Sequence, residues 1–207
     1  ADNVNSLVAN GLAQEGLESV RFMRDSNALL GLDFDGTKGT VKSQSIWGAE
    51  WAATNVLGPS SYYLLLSNFE PQVNCGVNNL ADCLPVSLKS VDITDDIWTE
   101  FNVISLEQLA NAGARVYLRE QNNEQNGGQG SGGNGAFRYM QIGPNDSQPA
   151  DARPTQYSRL IRLEPLQSTD EPDAVVDVLR VSSIVTWADA NGRPRKVVLT
   201  SDLTDWK

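Results

Sequence analysis

The chain contains no histidine. That absence removes Ser–His–Asp and Cys–His catalysis, imidazole-based zinc sites and the pH switching that imidazole provides near neutrality. Cysteine is nearly absent too: Cys75 and Cys83 are the two present, with the polar GVNNLAD between them. They form either a small disulfide loop, which implies an oxidising extracytoplasmic compartment, or a pair of thiols, which implies the cytoplasm. The spacing is wrong for CxxC redox or zinc work, which favours the disulfide. No run of 18 apolar residues and no signal peptide occurs,. Either the protein is natively soluble or a targeting segment upstream has been cut away, and a chain that begins inside an apolar-periodic segment keeps the second option open. Basic residues are in deficit, 16 against 26 acidic, for a net charge of −10. Such a surface repels nucleic-acid phosphate and anionic lipid at long range and demotes DNA as a partner.

Catalytic and cofactor motifs are equally sparse. The glycine-rich stretch 121–135, QNNEQNGGQGSGGNG, has no Lys-Ser/Thr after it and is no phosphate-binding loop,. It lacks apolar residues and reads as a solvated surface loop. Asp33, Asp35 and Gly36 match part of a calcium loop, but Gln44 stands where the bidentate Glu belongs,. A plain turn at Asp35-Gly36 is the better reading. Asp95, Asp96, Glu100 and Glu107 are candidate paired acids of a glycosidase, at the density any acidic surface shows,. The reading is therefore of a non-enzyme with no catalytic residue, cofactor or metal.

What the chain does have is hydrophobic pattern. Apolar residues make up 40% of 207 residues, enough for a sizeable core,. Residues 4–30 read as one amphipathic helix about 40 Å long at 1.5 Å per residue. Val4, Leu7, Val8, Leu12, Leu17, Val20 and Met23 form a broad apolar face, and Glu15, Glu18, Arg21 and Arg24 lie on the other side. Glu18–Arg21 and Arg21–Asp25 have the spacing of helical ion pairs. Gly11 and Gly16 are either tolerated surface glycines or points where a neighbouring helix comes close. Gly31 ends the helix. Trp47 and Trp51 anchor the following segment to it, with sugar stacking as the alternative.

Strands are expected at 62–66, 115–119, 136–142, 157–166, 174–189 and 195–206, and 97–104 reads as a strand with a short helix as the alternative. Residues 143–156 read as a polar connection, and NGRP at 191–194 as a hairpin turn. On 174–189, Val175, Leu179, Val181, Val185 and Trp187 share a face that Asp177 and Ser183 interrupt. An antiparallel sheet with a wet outer face still needs a cover for its inner face. The long helix supplies it. The expected architecture is α+β, one domain over 1–207: helix 1–30 laid across an antiparallel sheet within a globular head, 31–207.

The two ends resemble type IV pilin-like proteins of the minor-pilin or pseudopilin kind. Residues 12–30, LAQEGLESVRFMRDSNALL, are similar to the family stretch LAQEGIE-VRNIRDSN-L through Leu12, Ala13, Gln14, Glu15, Gly16, Glu18, Val20, Arg21, Arg24, Asp25, Ser26 and Asn27. Tyr157–Ile161 resembles the (F/Y)-x-R-x-I strand. Val185-Thr186-Trp187, Asn191-Gly192 and 197–206 resemble the closing hairpin. The two matches cover about a third of the chain by count of the residues spanned. The resemblance implies a pilin-like fold and a structural filament subunit at the cell surface, held in the inner membrane before assembly by an apolar half-helix upstream of residue 1. It implies other pilin subunits as partners, and attachment or motility as the trait. Val4, Leu7, Val8, Leu12, Leu17, Val20 and Met23 become the assembly face, with Glu15, Glu18, Arg21 and Arg24 as inter-subunit charges. A tip adhesin with a host or surface receptor, a glycan-binding module and a type II secretion pseudopilin are the alternatives. DNA uptake stays open.

Overall fold

The computed structural model describes residues 2–30, 61–67, 86–91, 109, 113–121, 136–143, 148–166 and 178–204. One helix, α1 (Asp2–Leu30), precedes seven strands. These are β1 (Ser61–Ser67), β2 (Val86–Val91), β3 (Arg115–Gln121), β4 (Ala136–Gln141), β5 (Ala152–Leu166), β6 (Val178–Ala188) and β7 (Pro194–Thr204). All pairings are antiparallel, and α1 packs on the sheet over β6 and β7. The fold is α+β, a helix on an antiparallel sheet. Gly31, Asp33, Asp35, Trp47, Trp51, Cys75, Cys83, Asp95, Asp96, the 97–104 strand, Glu100, Glu107 and residues 122–135 lie outside the described residues.

The sheet forks. On one edge β5 pairs with β6 from Ser158 to Leu166. On the other, its early part pairs with β3 and its later part, Ile161–Leu163, with β1. β3 and β1 then continue outward to β4 and β2. The length of β5 makes this possible: 15 residues serve two partners in succession.

Two expectations need correction. The 143–156 connection is too long, because β5 starts at Ala152 and contains Pro154. Proline is tolerated because β6 begins pairing at Ser158, so one side of β5 has no ladder bond to lose there,. Nearby the β3–β5 register slips between Arg115 and Tyr117, and Thr155 repairs the gap. Its hydroxyl donates to the Val116 carbonyl (2.6 Å) and accepts from the Tyr157 N–H (3.2 Å). The wet outer face also fails in part. Tyr62, Leu64, Leu109, Ala114, Leu160 and Ile184 form a buried cluster there. Strand β2 is an addition that the short alternation of Val86 and Leu88 did not reveal.

The helix face of the sheet carries two further clusters. One joins Leu17 and Val20 to Tyr63, Leu65, Ile161, Leu163, Leu179, Val181 and Leu203. The other joins Ala9, Leu12 and Ala13 to Val116, Tyr157, Val185 and Trp187. Tyr157, Ile161 and Leu163 of β5 and Leu179, Val181, Val185 and Trp187 of β6 feed these clusters from alternate positions,.

The β6–β7 hairpin closes over Ala190, Asn191 and Gly192. The Gly192 N–H returns to the Asp189 carbonyl (2.9 Å), and Gly192 adopts φ +75°, which a side chain resists,. This is a type I turn followed by a left-handed residue. The Asp189 carboxylate accepts from the N–H groups of Asn191 and Arg193, each 2.9 Å, and from Arg195 Nε at 3.1 Å. The Arg193 and Asn191 amides, then Arg195, hold its carboxyl below the usual carboxylate range. A depressed folded pKa means stability present above the unfolded pKa and lost as pH falls through the folded one. Asp189→Asn therefore lowers the melting temperature at pH 7. Its deficit against the parent shrinks in melts taken below about pH 3.9, the ordinary Asp value. A deficit that stays constant down to pH 2 would refute the assignment.

Candidate functional site

The helix presents two unlike sides. Ala9, Leu12, Ala13, Gly16, Leu17, Val20 and Met23 turn to the sheet and are buried. Val4 and Leu7 point away from it, 64% and 73% exposed, and Val8 is half-buried at the margin. Phe22 continues the outward side at 48% exposure. The seven-residue apolar face drawn from the sequence is thus divided. Leu12, Leu17, Val20 and Met23 are occupied inside this chain, while Val4 and Leu7 stay available to a partner. The spacing of 3.6 residues per turn separates them: residues 4, 7, 11, 18 and 22 fall on the side opposite 9, 13, 16 and 20.

The two glycines divide in the same way. A Cβ at Gly11 would meet nothing within 4 Å. A Cβ at Gly16 would run into the Ser183 hydroxyl and lie 3.0 Å from Ile161 Cδ1. Gly16 marks a close approach, but to the sheet rather than to another helix. It also accounts for the interruption of the β6 stripe: Ser183 is small, fully buried and sits beneath the glycine.

The charged residues make contacts within the chain although Glu15 and Glu18 stay exposed. Arg21 Nη1 pairs with Glu18 (2.6 Å), and its Nη2 donates to Ser201 Oγ on β7 (2.8 Å). Arg24 pairs with Asp25 (2.7 Å) rather than leaving that carboxylate to Arg21, and reaches the Thr204 carbonyl at 3.4 Å. Glu15 reaches Arg159 Nη1 at 3.3 Å. Each of the four charged candidates has a contact within the chain, and two of them tie α1 to β7.

Arg159 is the residue that pattern reading missed. It is 0% exposed, on the helix face of β5 between Tyr157 and Ile161. Nη1 donates to the Leu12 carbonyl (3.3 Å) as well as to Glu15, and Nε donates to Gln141 Oε1 (3.1 Å). Nη2 is buried without a partner among the described residues. Burial pulls the guanidinium below its ordinary value, and the Glu15 carboxylate pulls it back. An arginine still stays charged at neutral pH. The signal was there to read: Arg159 occupies an apolar parity of a strand and is the arginine of the (F/Y)-x-R-x-I pattern.

Gln141 occupies the fork. Its Oε1 accepts from the Leu65 N–H (3.3 Å), and its Nε2 donates to the carbonyls of Ala114 (2.9 Å) and Arg159 (2.8 Å). One side-chain amide bonds three backbone groups where the strands diverge, adding to the Arg159 N–H that already reaches the Ala114 carbonyl (2.8 Å),. Arg159 and Gln141 thus link the helix to the point where the sheet divides.

At the helix start, Asn5 Oδ1 accepts from Gln156 Nε2 (2.8 Å) and from the Tyr157 hydroxyl (3.2 Å). Tyr157 lies against Trp187 with ring centroids 6.3 Å apart. Burial raises the Tyr139 hydroxyl, with Tyr157 and Glu15 adding to the effect. The Asn5, Gln156 and Tyr157 contacts tie the start of α1 to β5. Among the described residues no cluster of acidic or cysteine ligands is arranged to hold a metal, and no helix is long and apolar enough to cross a membrane.

Compared with models of known families, with curated proteins and with solved structures, the chain finds no match in any of the three.

Proposed function

We propose that this chain is the outward-facing part of a type IV pilin-like filament subunit, a structural protein and not an enzyme. The observation that carries the reading is the division of α1. Its sheet-facing side is closed within the chain, whereas Val4 and Leu7, near its first turn, stand open to a partner. Transfer of two such side chains out of water is worth about 1.5–3 kcal/mol each when burial is complete. The resemblance at 12–30 and in the closing hairpin names a class of protein in which that end of the helix continues into an apolar segment packed among copies. The assignment to the cell surface, with inner-membrane anchoring before assembly, rests on the same reading.

The test uses the full-length natural protein in its own cells. Val4→Asp with Leu7→Asp is expected to remove the subunit from sheared surface filaments while the melting temperature of the 1–207 chain stays within about 2 °C, as exposed sites allow. Immunogold labelling of the parent protein along filaments is the matching positive result. A parent protein confined to the soluble interior, or a double variant that enters filaments as well as the parent, would overturn the proposal.

A further inference from the structure

The chain carries Asn191–Gly192 at the tip of the β6–β7 hairpin and the same dipeptide, Asn10–Gly11, inside α1. A glycine has no side chain to shield its amide nitrogen, so after an asparagine that nitrogen reaches the side-chain carbonyl carbon whenever the backbone allows. In α1 the backbone does not allow it. The 29-residue helix engages the Gly11 N–H in its ladder, and Asn10 Nδ2 donates to the Ser6 carbonyl at 2.8 Å,. At the hairpin tip both residues are exposed, and the Asn191 side-chain amide makes no hydrogen bond among the described residues. The restraint there comes from Asp189. Its carbonyl accepts from the Gly192 N–H (2.9 Å), and its carboxylate accepts from the N–H groups of Asn191 and Arg193, each at 2.9 Å. While those bonds hold, the Gly192 nitrogen is committed to Asp189 and not to the Asn191 side chain.

We propose that Asn191 is a site of spontaneous deamidation whose rate is set by opening of the turn that Asp189 holds. Once the turn opens, the Gly192 nitrogen gives its proton to hydroxide and forms a bond to Asn191 Cγ. The Cγ–Nδ2 bond breaks, and Nδ2 takes a proton from water and leaves as ammonia. The cyclic imide then takes up water, which opens it at either carbonyl to give aspartate or isoaspartate at position 191. Over the whole sequence one water enters and one ammonia leaves. Both products place a new carboxylate close to that of Asp189, in a chain whose net charge is already −10. Isoaspartate also routes the main chain through the former side chain. The extra backbone carbon before Gly192 moves its N–H out of register with the Asp189 carbonyl. The reaction therefore unties the tip that closes β6 onto β7. A hairpin tip opens at lower cost than the interior of a long helix, so Asn191 reacts in the folded chain while Asn10 is held back.

The test follows both asparagines in one sample. The 1–207 chain is incubated in native buffer and in urea, and mass spectrometry of its peptides reads aspartate and isoaspartate at positions 10 and 191. In urea the two are expected to react at similar rates, since both precede glycine. In native buffer Asn191 is expected to react about tenfold or more faster than Asn10, the difference between opening a hairpin tip and opening a helix. Asp189→Ala removes the carboxylate that holds the turn and is expected to raise the native rate at Asn191 about threefold or more, with Asn10 unchanged. Gly16→Ala loosens the chain far from the turn and is expected to leave the Asn191 rate at the parent value, which separates local opening from global unfolding. Circular dichroism establishes that both variants fold, and the comparison of positions 10 and 191 in the parent needs no variant. An Asn191 that reacts no faster than Asn10 in native buffer overturns the proposal. So does a rate that Asp189→Ala leaves unmoved, or one that Gly16→Ala raises as much as Asp189→Ala does.

Discussion

Gly16→Val is expected to cost about 3 kcal/mol or more, the upper range for overpacking a filled contact. The added methyls have nowhere to go. The first would enter the space of the Ser183 hydroxyl, with Ser183 Cβ at 3.1 Å and Ile161 Cδ1 at 3.0 Å. Ser183 can rotate its hydroxyl, and Ile161 can move its terminal methyl. Neither can withdraw the β6 backbone, so the helix must lift and loosen both apolar clusters beneath it. Gly16→Ala asks for one methyl only, and alanine favours the helix by about 1 kcal/mol over glycine. Its net loss is expected near 1 kcal/mol. Gly11→Ala, with open space around it, is expected to gain about 0.5–1 kcal/mol from the same propensity. Urea unfolding of the three variants reads the order directly. Ser183→Gly added to Gly16→Ala should recover more than either change alone predicts, a coupling above about 0.5 kcal/mol. Equal effects at positions 11 and 16 would show that the glycines serve helix propensity and not packing.

The same contact shows what sequence periodicity can and cannot carry. The long helix follows from the recurrence of apolar residues every three or four positions, and the paired C-terminal strands from alternation and the Asn191-Gly192 turn. Those signals are local and repeat many times, so they survive irregularities. Ser183 and Arg159 break their stripes, and in isolation a break looks like noise. Each has its reason in another element far along the chain: Gly16 above Ser183, and Leu12, Glu15 and Gln141 around Arg159. The fork in the sheet was illegible for a similar cause. Nothing in 152–166 announces two partners on one edge, and Pro154 argues against a strand until the unpaired side of β5 is known. The apolar helix face was legible as a set but not in its division, because Val4 and Leu7 differ from Leu12 and Leu17 only in which side of a turn they occupy. The pattern finds the rod; the sheet decides which part of it stays open.

Replacing Arg159 separates two contributions that burial combines. Arg159→Ala is expected to cost about 3–4 kcal/mol, in the range for losing a large buried side chain and its bonds. Little of that loss comes from the ion pair, since Glu15 is 44% exposed and water takes over its carboxylate. Glu15→Gln is accordingly expected to cost no more than about 1 kcal/mol. Arg159→Met keeps most of the volume and removes a desolvated charge whose Nη2 lacks a partner among the described residues. Its acceptors are not abandoned: the Leu12 carbonyl keeps its helical bond, and Gln141 Oε1 keeps the Leu65 N–H,. The methionine variant is expected within about 1.5 kcal/mol of the parent, as buried ion pairs replaced by apolar side chains often are. Arg159→Lys falls between the two, because a single ammonium reaches fewer acceptors and resists desolvation more. The decisive measurement is urea unfolding of all four variants. If methionine is as damaging as alanine, the guanidinium's hydrogen bonds, and not its bulk, hold the helix at the fork. If Glu15→Gln matches Arg159→Ala, the charge pair does.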